Sequence, residues 1–182
     1  MLSILDDYVN PVKTSAFSID MLVNKHYKLD EDFVPDDLVE FDQKYCNDEV
    51  QEGNREAVVA FKNMYEAAKK EGLGLVINSS YRSYQDQENI CNTFKDLYGE
   101  GYVTKYVALP GFSEHQTGLA FDIGSTSSKV FAESKEYEWM KENAYKYGFI
   151  SRFTKANAYI TGFRSEPWHY RYVGKKVAKY IY

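Results

Sequence analysis

The chain contains three histidines, and two of them stand among polar residues at spacings that could hold a metal ion. His115 lies in Ser113-Glu114-His115-Gln116-Thr117-Gly118-Leu119-Ala120-Phe121-Asp122, and His169 in Glu166-Pro167-Trp168-His169. Two imidazoles and the Asp122 carboxylate would form a tripod that leaves one position of a tetrahedral zinc ion open, the arrangement of catalytic rather than structural sites. The seven-residue step from His115 to Asp122 is too irregular for one helix face. It suits a loop-to-strand passage in which Gly118 lets the chain turn. The third ligand, His169, would have to arrive across the fold. Pro167 biases Glu166 away from helical backbone, which places this stretch at the start of a strand. A carboxylate beside a ligand, without being one, could take a proton from water polarised by zinc, whose pKa falls from about 15.7 to about 7. It could then pass that proton to a leaving amine.

Each residue also has a plainer reading. A single histidine is ordinarily a surface or satisfied core residue, and that is the reading for His26. Asp122 alone could be a turn residue and Glu166 a surface charge, so spacing alone leaves a metal site and the plainer account both open. Other chemistries are excluded more firmly. The SxxK, SDN and KTG elements of penicillin-binding serine enzymes do not occur. HExxH is also absent. A cysteine zinc site would need more thiolates than Cys46 and Cys91, which could form one disulfide or remain free.

The elements that must position these residues are those of one α+β domain. At 182 residues, 44% hydrophobic and 27% charged, the chain can bury a core without staples. Residues 1–53 read as an irregular lead-in, with the apolar segment Met21–Val23 packing or pairing on a core formed by 54–182. Asn54 caps a first helix, with Ala57, Val58, Phe61, Tyr65 and Ala68 at helical spacing and Gly72 as its stop. Gly74–Ser80 reads as a buried strand. Ser83 caps a second helix with Ile90, Phe94 and Leu97 on one face and Gly99 at its end. Residues 101–118 read as a loop, and Leu119–Ile123 as a short strand. Ser134 caps a third helix closed by Gly148. Phe149–Phe153 and Trp168–Val173 read as β segments, and a final helical turn or two completes the chain. Without a strict βαβ rhythm, this predicts a small antiparallel sheet flanked by helices, with the metal site in a cleft.

The net charge of −5 argues against a nucleic-acid partner. No stretch approaches the roughly 18–20 apolar residues of a membrane helix. The N-terminal residues show no basic stretch followed by an apolar one. The expectation is therefore a cytoplasmic protein if Met1 is the native start, or an envelope or extracellular one if an export signal or anchor has been replaced. A monomer is expected. The 17 tyrosines suit either half-buried positions along strands and helix edges or a surface for glycan or peptide.

Three strings carry a family resemblance: SSYRS (residues 79–83), PGFSEHQTGLAFDIG (110–124) and EPWHYRYVG (166–174). They resemble the VanY-type D-alanyl-D-alanine carboxypeptidases, zinc enzymes related to the D,D-dipeptidases of vancomycin resistance. The likeness extends from about Met21 to Gly174, because MLVNKHYKL and FVPDDLV also match that family's lead-in. The SxHxxGxAxD pattern is complete as Ser113, His115, Gly118, Ala120 and Asp122. ExWH is complete as Glu166, Trp168 and His169.

The resemblance implies one Zn2+ ion on His115, Asp122 and His169, with Glu166 as general base. It further implies Arg82 at the end of a strand, stabilising the oxyanion, and Gln87 and Ser113 touching the substrate's terminal residue and carboxylate. Tyr81 stands beside Arg82 in the same motif and is a candidate substrate contact. Ser113 could instead only cap its loop, and Trp168 could wall the pocket or belong to the core. The implied reaction removes the terminal D-Ala from peptidoglycan stem peptides. Three alternatives stand beside it: an L,D-carboxypeptidase on tetrapeptide stems, a cytosolic D,D-dipeptidase or dual-function enzyme, and a zinc-containing wall-binding module without catalysis.

Overall fold

The computed structural model describes residues 11–13, 16–47 and 49–182. The reading of the first ten residues as lacking an export signal lies outside the described residues. In chain order the elements are β1 Val12–Lys13, β2 Tyr27–Lys28, β3 Leu38–Glu40, β4 Glu52–Asn54, α1 Arg55–Lys70, β5 Leu75–Ser79, α2 Tyr84–Tyr98 and α3 Glu100–Tyr106. They continue with β6 Ala120–Ser125, α4 Lys135–Asn143, β7 Phe149–Ser151, α5 Ala158–Thr161, β8 His169–Tyr172 and α6 Lys175–Ile181.

A four-stranded antiparallel sheet in the order β5-β6-β8-β7 organises the molecule, with two smaller two-stranded sheets beside it. Side chains alternate across a strand, so β6 sends Phe121 and Ile123 into the core while Asp122 and Gly124 face the other way. The amphipathic α1 lays Ala57, Val58, Phe61, Met64 and Ala68 on the core side, all essentially buried. Phe61, Phe41 and Phe121 meet edge to face at 5.3–6.2 Å between centroids, the geometry that ring quadrupoles favour.

The expected caps are present. Asn54 Oδ1 accepts from the backbone N–H of Glu56 and Ala57. Ser83 and Asp86 form a reciprocal capping box on α2. Ser134 caps α4, and Gly148 closes the single helical turn that follows it.

Several expectations are corrected. Residues 101–118 are not one loop. Residues 100–106 form α3, and Glu114–Thr117 form a 3-10 turn. α3 is short, starts after Gly99 and carries Gly101 in its first turn, so no periodic signal could develop; it is held by packing, with Tyr102 stacked on Phe94 of α2 at 5.8 Å. Leu97 does not share the inner face of α2 but is 65% exposed; Gln87 and Cys91 are buried there instead. The β segments at 149–153 and 168–173 are shorter, Phe149–Ser151 and His169–Tyr172. Residues 158–161, unassigned by the sequence, form α5. Cys46 and Cys91 are both buried free thiols.

The lead-in is more ordered than its weak periodicity implies. β3 pairs antiparallel with β4, and Met21, Val23 and Leu29 form their own small apolar cluster. Buried Arg171 of β8 donates from its Nη2 to the carbonyls of Ile19 and Met21 at 3.1 and 3.0 Å, tying this segment to the main sheet.

Candidate metal and catalytic site

The register of the central sheet brings the two motifs together. Asp122 of β6 pairs with Ser79 of β5 on one side and His169 of β8 on the other. His115 rides the 3-10 turn Glu114–Thr117, whose N-cap Ser113 accepts the His115 N–H at 3.4 Å. Gly118 ends the turn in the left-handed region at φ 66°, and its carbonyl accepts the Asn54 N–H at 2.8 Å, joining the turn to the start of α1. A Cβ at 118 would lie 3.0 Å from that same Asn54 nitrogen. Glycine is therefore required there for space as well as for backbone conformation.

Nδ1 of buried His115 lies 2.6 Å from the Ser80 carbonyl, which can only accept. Nδ1 therefore carries the proton, and Nε2 is left with its lone pair, 3.4 Å from Asp122 Oδ1. His169 presents Nδ1 to the same oxygen at 3.2 Å, while its Nε2 lies 3.1 Å from Glu114 Oε2. The three donor atoms of His115, Asp122 and His169 lie within 4.8 Å of one another. Two imidazoles and one carboxylate with a fourth position open are a donor set zinc accepts, and each imidazole is steered through its other nitrogen. The residues fit the ion.

The cleft over this cluster, about 250 Å³, is also lined by Arg82, Gln87, Ser113, Glu166 and Trp168. Burial raises the pKa of Glu166, and the Asp122 charge adds to this against His169, Arg164 and Arg82. Burial lowers that of Arg82, opposed by Asp122 and Glu166. Burial also lowers His115, with the Arg82 charge adding to it. His169 goes the other way. Burial disfavours its charge, but hydrogen bonds to Asp122 and Glu114 raise it to about 9.

Arg82 Nε and Gln87 Oε1 are buried and find no hydrogen-bond partner among the described residues, polar atoms a bound ligand could satisfy. Gln87 spends its amide nitrogen on the Ala108 carbonyl at 2.7 Å, so it offers the cleft an acceptor. Tyr81 is not brought into the cleft lining. Its N–H reaches the Glu52 carbonyl while that of Arg82 reaches His115, so the two neighbours turn to opposite sides.

Sequence reasoning missed the partner of His169. Glu114 is buried, 2.7 Å from Arg152 Nε and 3.7 Å from Arg171 Nη1. Burial works against its charge, but the His169 hydrogen bond and the charges of Arg171 and Arg152 hold it at about 2. Its place next to His115 was one signal. Another was Arg171, two residues beyond His169 and therefore on the same face of one strand.

A family model, VanY D-alanyl-D-alanine carboxypeptidase, matches residues 51–175. The chain is 46% identical to the putative carboxypeptidase YodJ of Bacillus subtilis (strain 168) over 88% of its length and 62% of that protein's. It is 38% identical to a D-alanyl-D-alanine carboxypeptidase of Enterococcus faecalis over 66% of its length and 48% of that protein's. It thus spans about half to three-fifths of the length of these curated relatives. Among solved structures it resembles the LD-carboxypeptidase LdcB, with a TM-score of 0.82 and 46% identity, over 90% of this chain and 80% of that one. It resembles VanYB, solved in complex with D-alanine-D-alanine, with a TM-score of 0.74 and 30% identity over 88% and 90%. A further VanY structure, also 30% identical, contains Zn(II). Fold, motif register and these matches together place the chain in the VanY D-alanyl-D-alanine carboxypeptidase family.

Proposed function

We propose that this chain is a zinc-dependent carboxypeptidase that removes the terminal D-Ala from peptidoglycan stem peptides. One zinc ion would be held by His115, Asp122 and His169. The observation that carries this reading is the convergence of three ligand atoms within 4.8 Å beneath a cleft that also holds Glu166 and Arg82. Zinc supplies Lewis acidity that makes water a usable nucleophile near neutral pH.

The residues of the chain do the rest. Glu166, whose affinity for a proton is raised by burial, takes the proton of the attacking water and delivers it to the nitrogen of the departing D-Ala. The Arg82 guanidinium stabilises the negative charge that grows on the carbonyl oxygen. Ser113, Gln87 and Trp168 line the same cleft, and in this reading Ser113 and Gln87 would contact the terminal residue and its carboxylate while Trp168 would wall the pocket.

A second reading, L,D-carboxypeptidase action on tetrapeptide stems, is favoured by the 46% identity to LdcB against 30% to VanYB. D-alanine release from muramyl pentapeptide, tetrapeptide and D-Ala-D-Ala, with and without chelator, separates them. Chelator-sensitive release from pentapeptide supports D,D activity, and release from tetrapeptide alone supports L,D activity. Release from free D-Ala-D-Ala points to a dipeptidase. No release from any, with zinc bound, would overturn the enzyme reading and leave a binding module.

A further inference from the structure

A carboxypeptidase needs a closed end for the terminal residue and an open exit for the rest of the chain, and the sheet supplies the exit. Gly124 stands two residues beyond Asp122 on β6, hence on the same face and roughly 7 Å further along the strand. The register pairs Gly124 with Val76 of β5, and Asn78 projects from that same face. A Cβ at 124 would come within 2.6 Å of the Asn78 amide nitrogen, so the glycine is what allows this amide to lie across the sheet.

Asn78 and Gly124 floor a groove of about 660 Å³ walled by the segment 125–132. Trp168 lines both this groove and the catalytic cleft, so the two adjoin at that residue. Because β5 and β6 are antiparallel, the chain leaves β5 toward Arg82 at the metal end, and the groove runs in the opposite direction. The protein has 27 acidic residues, yet among the described residues lining the groove none is a carboxylate. They include instead Lys129, Asn47 and the hydroxyls of Ser128 and Thr126.

Building on the proposed carboxypeptidase reading, we propose that this groove binds the acyl side of the substrate, the extended and carboxylate-bearing stretch of stem peptide N-terminal to the scissile bond. Asn78 meets its backbone amides, and Lys129 meets its carboxylate. Terminal residues are read in the cleft, and chain length and charge are read in the groove.

The test uses the zinc-loaded protein and a series of peptides that share the cleaved C-terminus and grow one residue at a time on the N-terminal side. The longest acidic peptide should exceed the shortest in kcat/KM by about tenfold, or about 1.4 kcal/mol. Asn78→Trp, which fills the groove from an exposed position, should erase that gain while leaving the shortest peptide within about twofold of its original value. Lys129→Ala should weaken only peptides with the carboxylate intact, not their amidated forms. Length-independent kcat/KM, or equal losses on short and long peptides in both variants, would overturn the groove while leaving the carboxypeptidase reading standing. Failure to cleave any peptide would instead remove the carboxypeptidase reading itself, and the groove assignment with it.

Discussion

Nε2 of His169 lies 3.1 Å from Oε2 of Glu114, and this one contact fixes which nitrogen the imidazole offers to a metal. The carboxylate accepts from Nε2, so Nδ1 is turned toward Asp122 at 3.2 Å. Glu114 is held in turn by Arg152 and by Arg171, which also grips the carbonyls of Ile19 and Met21. Backing groups of this kind typically account for about 10- to 100-fold in metal affinity. Glu114→Gln should therefore weaken zinc binding by about that factor, read by competition with a chelator of known affinity. Glu114→Ala should also destabilise the fold by about 3–5 kcal/mol, because it strands buried cations. A Glu114→Gln variant with unchanged zinc affinity would show that the contact merely packs.

The same pair makes metal binding depend on pH. His169 carries a raised pKa of about 9 without metal, so below that pH a proton occupies the site the ion needs. His115 is shifted downward and is already neutral near pH 7. About one proton must leave per zinc bound, and affinity should strengthen by about tenfold for each pH unit between 7 and 9. Isothermal titration in buffers of different ionisation enthalpy counts that proton, and a flat affinity across this range would refute the assignment.

Glu166 separates catalysis from mere binding. Glu166→Gln should lower kcat by about 10²- to 10⁴-fold while leaving zinc content unchanged, since Glu166 is not among the three clustered donors. Because burial raises its pKa from the ordinary glutamate value, kcat/KM should rise with pH as Glu166 ionises. The midpoint of that rise should lie above the ordinary glutamate value. An acid limb at or below that value, or full activity in the variant, would remove Glu166 from the role of base.

What could be read from the sequence was local. Asn54 and Ser83 announced their helices because capping is a short-range contest for backbone donors. His115, Asp122, Glu166 and His169 have the residue types of a metal site, but their spacing left the plainer account open, and the resemblance of their motifs to the VanY-type carboxypeptidases is what chose between the two. Glu114 escaped notice because its partners, Arg152, His169 and Arg171, come from β8 and the end of β7, and no spacing rule links these to residue 114. The ordered lead-in was invisible for the same reason, since Arg171 that anchors it lies about 150 residues away. Tyr81 stands beside Arg82 in the motif, but neighbours in extended chain face opposite sides, and Tyr81 is not among the residues that line the cleft.

Gly118 tests whether the turn that carries His115 is as constrained as its geometry implies. Its φ of 66° costs an L-residue roughly 1–2 kcal/mol. A Cβ there would also lie 2.9 Å from Leu38 Cδ2 and 3.0 Å from Asn54 N. The leucine methyl can yield, but the backbone nitrogen donates to the Gly118 carbonyl and cannot move without loosening the cap of α1. Gly118→Ala should therefore lower the Tm by several degrees, at about 2–4 °C per kcal/mol for a chain of this size. It should also weaken zinc binding, because His115 is three residues back on the same 3-10 turn. Loss of stability with zinc affinity intact would mean that His115 is held by the Ser80 carbonyl alone, and that the turn serves only the packing between β6 and α1.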